Sequence, residues 1–155
     1  MIEPQDFRSA LGRFASGVTV VTIPDAHKSA GVRGITANAF LSVSLTPPLV
    51  LVSIDKRARA HTSLLTAERY GVSILAAGQE GVSDHFAGRN PELTPDFAEL
   101  AGFVVVAQSA AQLVCRVTDR HEAGDHTLFI GEVEALATSE AEPLVYFRGR
   151  YGRFL

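Results

Sequence analysis

Two runs of alternating side chains in the second half of the chain limit its fold more than any other feature. Leu113, Cys115 and Val117 fall on one side of the run Gln112–Glu122, and Phe129, Gly131, Val133 and Ala135 fall on one side of the run His126–Thr138. A period of two belongs to a strand with one face buried. Between the runs, Glu122-Ala123-Gly124-Asp125 reads as a hairpin connection. Two long antiparallel strands of this kind need further strands to cover their apolar side. The chain offers them at Val18–Ile23, which is rich in β-branched residues and closed by Pro24-Asp25, and at Val32–Asn38, Leu49–Asp55, Tyr70–Ala76 and Pro143–Phe147.

Helices are fewer. Phe7, Ala10, Leu11 and Phe14 recur at helical spacing and predict a short N-terminal helix. Ala58–Glu68 and Gln79–Phe86 predict two more, and Asn90–Leu100, with two prolines, reads as a surface loop. The helices do not alternate with the strands, which disfavours a doubly wound parallel sheet. The expected fold is mainly β, a closed or partly closed antiparallel barrel with a few peripheral helices. With 155 residues, 46% of them hydrophobic, and no repeat or shift of composition, residues 1–155 are expected to form a single domain.

Several function classes fall away. A net charge of −3 gives no overall field for nucleic acid or anionic lipid. No apolar run approaches the roughly 20 residues that span a bilayer, and no basic-then-apolar leader opens the chain. The lone Cys115 rules out an internal disulfide and fits a reducing compartment, so a cytoplasmic location is expected. There is no G-x-G-x-x-G, no Walker loop, no G-x-S-x-G and no H-E-x-x-H, and the five histidines lack zinc spacing, so no metal is expected.

Four segments remain. Ser53-Ile54-Asp55-Lys56-Arg57-Ala58-Arg59 crowds three cations where a strand stops and a helix starts, an end that already carries partial positive charge. A phosphate would offset that cost, and a solvated basic turn is the plainer reading. Thr36-Ala37-Asn38-Ala39 offers small, hydroxyl and amide residues to the edge of a flat ligand, or is simply a strand running into a turn. Phe86-Ala87-Gly88 either caps a ligand or stops a helix. Gly124-Asp125-His126 sets a histidine at the head of a long strand, as a ligand contact or as an ordinary turn residue.

The order of these segments is itself informative. FRSALGRFASGVTVVT (Phe7–Thr22), GITANAFLSVSLTPPLVLVSIDKRA (Gly34–Ala58), DHFAG (Asp84–Gly88), AGDHTLFIGEV (Ala123–Val133) and PLVYFRGRY (Pro143–Tyr151) together resemble the short-chain flavin reductase family over nearly the whole chain. The resemblance implies an FMN-binding split β-barrel, usually a homodimer, that reduces FMN or FAD with NADH or NADPH and supplies reduced flavin to a monooxygenase component. It further implies that Thr36, Ala37, Asn38 and Ala39 lie beside the isoalloxazine, that Ser53, Ile54, Asp55, Lys56, Arg57, Ala58 and Arg59 take the phosphate, and that Phe86, Ala87 and Gly88 help enclose the flavin. Gly124, Asp125 and His126 match the family's nicotinamide signature, and Arg150 and Tyr151 lie in the segment that lines the same region. Arg33 departs from the pattern, standing where many relatives carry an aromatic or other residue.

Hydride transfer asks the protein mainly to hold nicotinamide C4 against flavin N5. No nucleophile or general base is needed, and His126 is expected to orient the nicotinamide. Two alternatives stay open: a tightly held FMN acting on another small substrate, and a flavin-binding protein without catalysis.

Overall fold

The computed structural model describes residues 1–155. Helix α1 (Pro4–Leu11) leads into a short strand β1 (Ser16–Gly17). Two hairpins follow, β2 (Thr19–Pro24) with β3 (Val32–Ala37) and β4 (Phe40–Ser44) with β5 (Leu49–Asp55). Next come α2 (Arg59–Thr66), β6 (Arg69–Ile74), α3 (Glu80–Phe86) and the small hairpin β7 (Phe97–Leu100) with β8 (Phe103–Val106). The chain closes with β9 (Ala111–Ala123), β10 (His126–Thr138), β11 (Leu144–Phe147) and β12 (Arg150–Arg153).

Seven strands form one antiparallel sheet in the order β3-β2-β6-β9-β10-β5-β4. Its two outermost strands are consecutive in sequence and are joined at the Asn38-Ala39 corner, so the sheet curls back on itself. β3 comes to lie near β5 without a ladder between them. This is the expected barrel, split along one seam, and half of the β3 backbone groups face that seam. A second sheet, β1-β11-β12, and the β7-β8 ribbon lie outside it.

The long hairpin forms as its alternation predicts. β10 pairs with β9 on one side and with β5 on the other, and Gly124 and Asp125 make a two-residue turn with Gly124 at a φ of 60°. Cys115, Phe129, Val52, Val72 and Tyr70 fill the main core, with Leu113, Val117 and Val133 packed against it. Ala60 and Leu64 of α2 enter the same cluster, which holds that helix against β2, β3 and β5. Full burial of a side chain such as Leu64 is worth about 1.5–3 kcal/mol.

Ala135 departs from the expected face. A bulge between Val133 and Ala135 sets Ala135 opposite Val114, and it packs with the separate cluster of Phe103, Val105 and Val114. Five strands were not expected: β1, β4, β7, β8 and β12. β4 shows its apolar side chains Leu41 and Val43 to solvent, against the usual sense of the pattern. The segment read as a loop, Asn90–Leu100, ends in strand β7, whose partner β8 turns back through Ala101 and Gly102, both with positive φ. β12 has only Tyr151 to mark it. α1 forms over Phe7, Ala10 and Leu11 but ends at Gly12, before the expected Phe14, and none of its residues is buried. No helix is long and apolar enough to cross a membrane.

Candidate functional site

The rim where β5 ends carries most of the chemistry. Asp55 closes β5 opposite His126 of β10, and the Lys56 amide donates to the Asp125 carbonyl at 2.9 Å. The basic turn and the Gly124–His126 turn are therefore one structure, joined by a ladder and a further backbone bond.

The three cations of the turn are not equivalent. Arg57 folds onto Asp55, donating its amide (2.8 Å) and Nε (3.2 Å) to Oδ1 and its Nη2 to Oδ2 (2.8 Å). These bonds hold the Asp55 carboxyl well below the usual carboxylate range. Lys56 Nζ lies 3.3 Å from Glu122 Oε1. Arg59 has no carboxylate partner. It stands on the first turn of α2, which has no side-chain N-cap, so the helix's opening amides and Arg59 make one positive surface.

That surface opens into a cavity of about 800 Å3, lined also by Gly34, Ile35 and Val32 of β3, by Phe86, Ala87 and Gly88 after α3, and by Lys28, Ser29 and Phe97. Phe86 lies directly over Gly34, whose missing side chain is the space the ring occupies. Phe86 also stands edge-on to His85 and Phe97, with ring centroids 4.9 and 6.2 Å away. An apolar aromatic wall facing unpaired cations and open helix amides fits a phosphorylated flat ring, as a flavin nucleotide is.

The β3–β4 corner is tied from several sides. Thr36 Oγ1 donates to the Ser83 carbonyl at 2.6 Å, so its proton ties β3 to α3 and only its lone pairs remain to accept. Thr19 Oγ1 donates to the Ala37 carbonyl at 2.7 Å, and Asn38 Nδ2 reaches Ser16 Oγ at 3.4 Å. The Ser53 amide donates to the Ala39 carbonyl at 3.0 Å, which brings the corner against the strand that leads into the basic turn.

At the neighbouring turn, His126 Nδ1 lies 2.7 Å from Asp125 Oδ1. An ionised carboxylate only accepts, so Nδ1 carries the proton and Nε2 is left free. The same bond lowers the Asp125 pKa below the ordinary value and keeps it ionised. Behind the turn, buried His61 of α2 meets the buried Thr127 hydroxyl at 2.7 Å and stands edge-on to Phe129. This link, which sequence reasoning did not find, fixes α2 to the first residues of β10.

The C-terminal residues sit elsewhere. The Tyr151 hydroxyl donates to Asp84 Oδ1 at 2.6 Å and lies 2.7 Å from Ser83 Oγ, which ties β12 to α3. Tyr151 and Arg89 together hold the Asp84 carboxyl below its ordinary pKa. Arg150 is exposed. No hydrogen bond or ion pair joins Arg150 or Tyr151 to Gly124–His126 in one chain. Lys28 and Ser29 are cavity residues that no motif marks; Arg33 was visible only as a departure from a pattern.

The model of the flavin reductase like domain matches residues 11–155. The chain belongs to that family. It is 48% identical over 153 residues to an NADH-dependent flavin reductase of Rhodococcus sp., covering 97% of this chain and 86% of the relative. It is 42% identical over 151 residues to the reductase component of 4-hydroxyphenylacetate 3-monooxygenase of Thermus thermophilus, covering 96% and 95%. Among solved structures, flavin reductase PheA2 in its native state superposes with a TM-score of 0.94 at 42% identity, over 99% of each chain. The split barrel and its rim are thus the family's architecture, and the geometry above describes how this sequence builds it.

Proposed function

We propose that this chain, as one domain over residues 1–155, is an NADH-dependent flavin reductase of the cytoplasm that takes up FMN or FAD, reduces it, and releases it to a monooxygenase component. The observation that carries the reading is the shared rim: an unpaired cation and open helix amides facing an aromatic-walled cavity, one backbone bond away from a turn that offers an oriented histidine.

A bound flavin supplies the hydride acceptor, N5, and the nicotinamide supplies the hydride. The chain's own residues bind and orient. Arg59 and the first amides of α2 hold the phosphate, and the open seam of β3 beside Thr36–Ala39 offers backbone groups to the ring edge. Phe86 closes the cavity against water. His126, turned by Asp125, directs Nε2 outward to position the nicotinamide carboxamide. None of these groups has to exchange a proton for hydride transfer to occur.

The working unit in this reading is a homodimer. Edge strand β4 exposes Leu41 and Val43, α1 exposes Phe7 and Leu11 with Phe14 exposed just beyond it, and such surfaces call for a partner. A second copy would also bring a C-terminal segment with Arg150 to a site that lacks one within the chain.

The test is NADH oxidation by desalted protein with and without added FMN or FAD, with sedimentation in parallel. Turnover that depends on added flavin, in a dimer, is expected. Turnover at full rate without added flavin would favour a tightly held group acting on another substrate, and binding of flavin without NADH oxidation would reduce the chain to a flavin-binding module.

A further inference from the structure

The β9–β10 hairpin holds α2 at both ends. At the C-terminal end, Arg120 of β9 donates Nε to the Leu64 carbonyl at 3.2 Å and Nη2 to the Ala67 carbonyl at 2.7 Å. At the N-terminal end, where no side chain caps the helix, the hold is the 2.7 Å contact between His61 Nε2 and the Thr127 hydroxyl. Both of these side chains are buried. Ala60 and Leu64 also pack into the core, but apolar burial is non-directional. Among hydrogen bonds, the His61–Thr127 contact alone joins the first turn of α2 to β10.

That contact lies between two functional segments. Arg59 and Ala60, just before His61, line the cavity, and His126 immediately precedes Thr127. Ladder pairing of Thr127 with Ile54 and of His126 with Asp55 fixes the strand, so the helix is the part free to shift. A phosphate gripped by Arg59 and the first amides of α2 travels with the helix, while His126 Nε2 stays with β10. Reacting atoms must meet at about 3–3.5 Å, and a misplacement of about 1 Å can cost a hundredfold in rate. Stability alone does not call for a polar pair here, because replacing both partners by apolar groups of similar shape is nearly neutral. What the pair adds is a fixed length and direction.

We propose that His61 is a positioning residue for hydride transfer: through Thr127 it sets the phosphate grip of α2 in register with the turn that orients the nicotinamide. The proposal rests on the flavin reading above and adds a residue that touches neither substrate. Because the grip itself is local to α2, loss of the contact moves the flavin relative to His126 without releasing it. The affected quantity is the rate of reduction at saturating NADH.

The experiment is anaerobic stopped-flow reduction of bound FMN across NADH concentrations, with urea unfolding in parallel. The proteins are wild type, His61→Leu, Thr127→Val, the double variant, Thr127→Ser and Arg120→Ala. Each of His61→Leu and Thr127→Val leaves a buried polar group unpaired and should lower both the unfolding midpoint and the limiting rate. The double variant should recover the midpoint while its limiting rate stays about tenfold below wild type, with the dissociation constants of FMN and NADH unchanged. Thr127→Ser keeps the hydroxyl and should keep the rate. Arg120→Ala frees the other end of α2 and should lower the midpoint alone. Riboflavin has no phosphate for α2 to carry, so wild type and the double variant should reduce it equally fast. A double variant that recovers rate along with midpoint makes the pair purely structural and overturns the proposal. Equal slowing in Arg120→Ala, or equal slowing for riboflavin, does the same and leaves the flavin reading standing. Should the double variant not fold, Thr127→Val and Thr127→Ser decide, and equal limiting rates in those two overturn the positioning role. A wild type whose bound FMN is not reduced by NADH overturns the reductase reading itself, and the positioning role with it.

Discussion

The β9–β10 hairpin is built on opposite terms at two places along its length. At Gly131 the strand is closed in on every side: a methyl there would lie 2.5 Å from the Tyr70 hydroxyl and 2.9 Å from Cys115 Cβ. Tyr70 is fully buried with no partner for its hydroxyl, and burial pushes its pKa up; burial likewise pushes the Cys115 thiol up to about 12. At the Gly124–Asp125 turn, the same two strands end in exposed polar groups, the adjacent Asp125–His126 pair at 2.7 Å and the Lys56–Glu122 pair at 3.3 Å. The core at Gly131 is held by packing around an unpartnered hydroxyl, whereas the exposed turn is held by charged and hydrogen-bonded groups.

Substitutions at the two places should therefore act on different observables. The largest expected effect is Gly131→Val, which forces a branched side chain into the space held by Tyr70 and Cys115. It should lower unfolding free energy by about 3 kcal/mol in a urea titration, while the protein that remains folded keeps its KM for NADH. A stable Gly131→Val protein with altered KM would erase the distinction between core and rim.

His126→Ala should do the reverse. Loss of the oriented Nε2 should lower kcat/KM for NADH by roughly ten- to a hundredfold, the scale of lost positioning, with flavin affinity and unfolding midpoint unmoved. Stopped-flow reduction of bound flavin across NADH concentrations isolates the step. An unchanged dependence on NADH would make His126 an ordinary turn residue.

The contrast also explains what the sequence could disclose. Leu49–Asp55 and His126–Thr138 have the strand bounds that alternation and β-branching imply, because both strands pack one face on the core. β4 escaped notice because its apolar residues face out, and β7 because the expectation of a loop was carried by prolines that end before it. Ala135 changed faces because a bulge leaves no mark in a pattern of period two. At the rim the motif segments were legible, but the pairing of their charges was not. Glu122 lies far from Lys56 in sequence and meets it only through the hairpin, and the free state of Arg59 follows from what its neighbours already hold.

That pairing yields the smallest and sharpest comparison, between cations within a single turn. Arg59→Ala removes the one charge in the turn without a carboxylate, so FMN and FAD should each bind about tenfold more weakly, a loss of about 1.4 kcal/mol. Riboflavin, lacking the phosphate, should bind as before. Lys56→Ala and Arg57→Ala remove charges already engaged by Glu122 and Asp55, and solvent screens exposed pairs of this kind. Each should change flavin affinity by no more than about threefold. The three variants, titrated with FMN and riboflavin at two ionic strengths, test the order directly, since a phosphate contact weakens with salt and a shape contact does not. Equal losses for all three would mean that the turn acts as a diffuse positive field. A loss for riboflavin as large as that for FMN would move Arg59 out of the phosphate site and return the basic turn to an ordinary solvated surface.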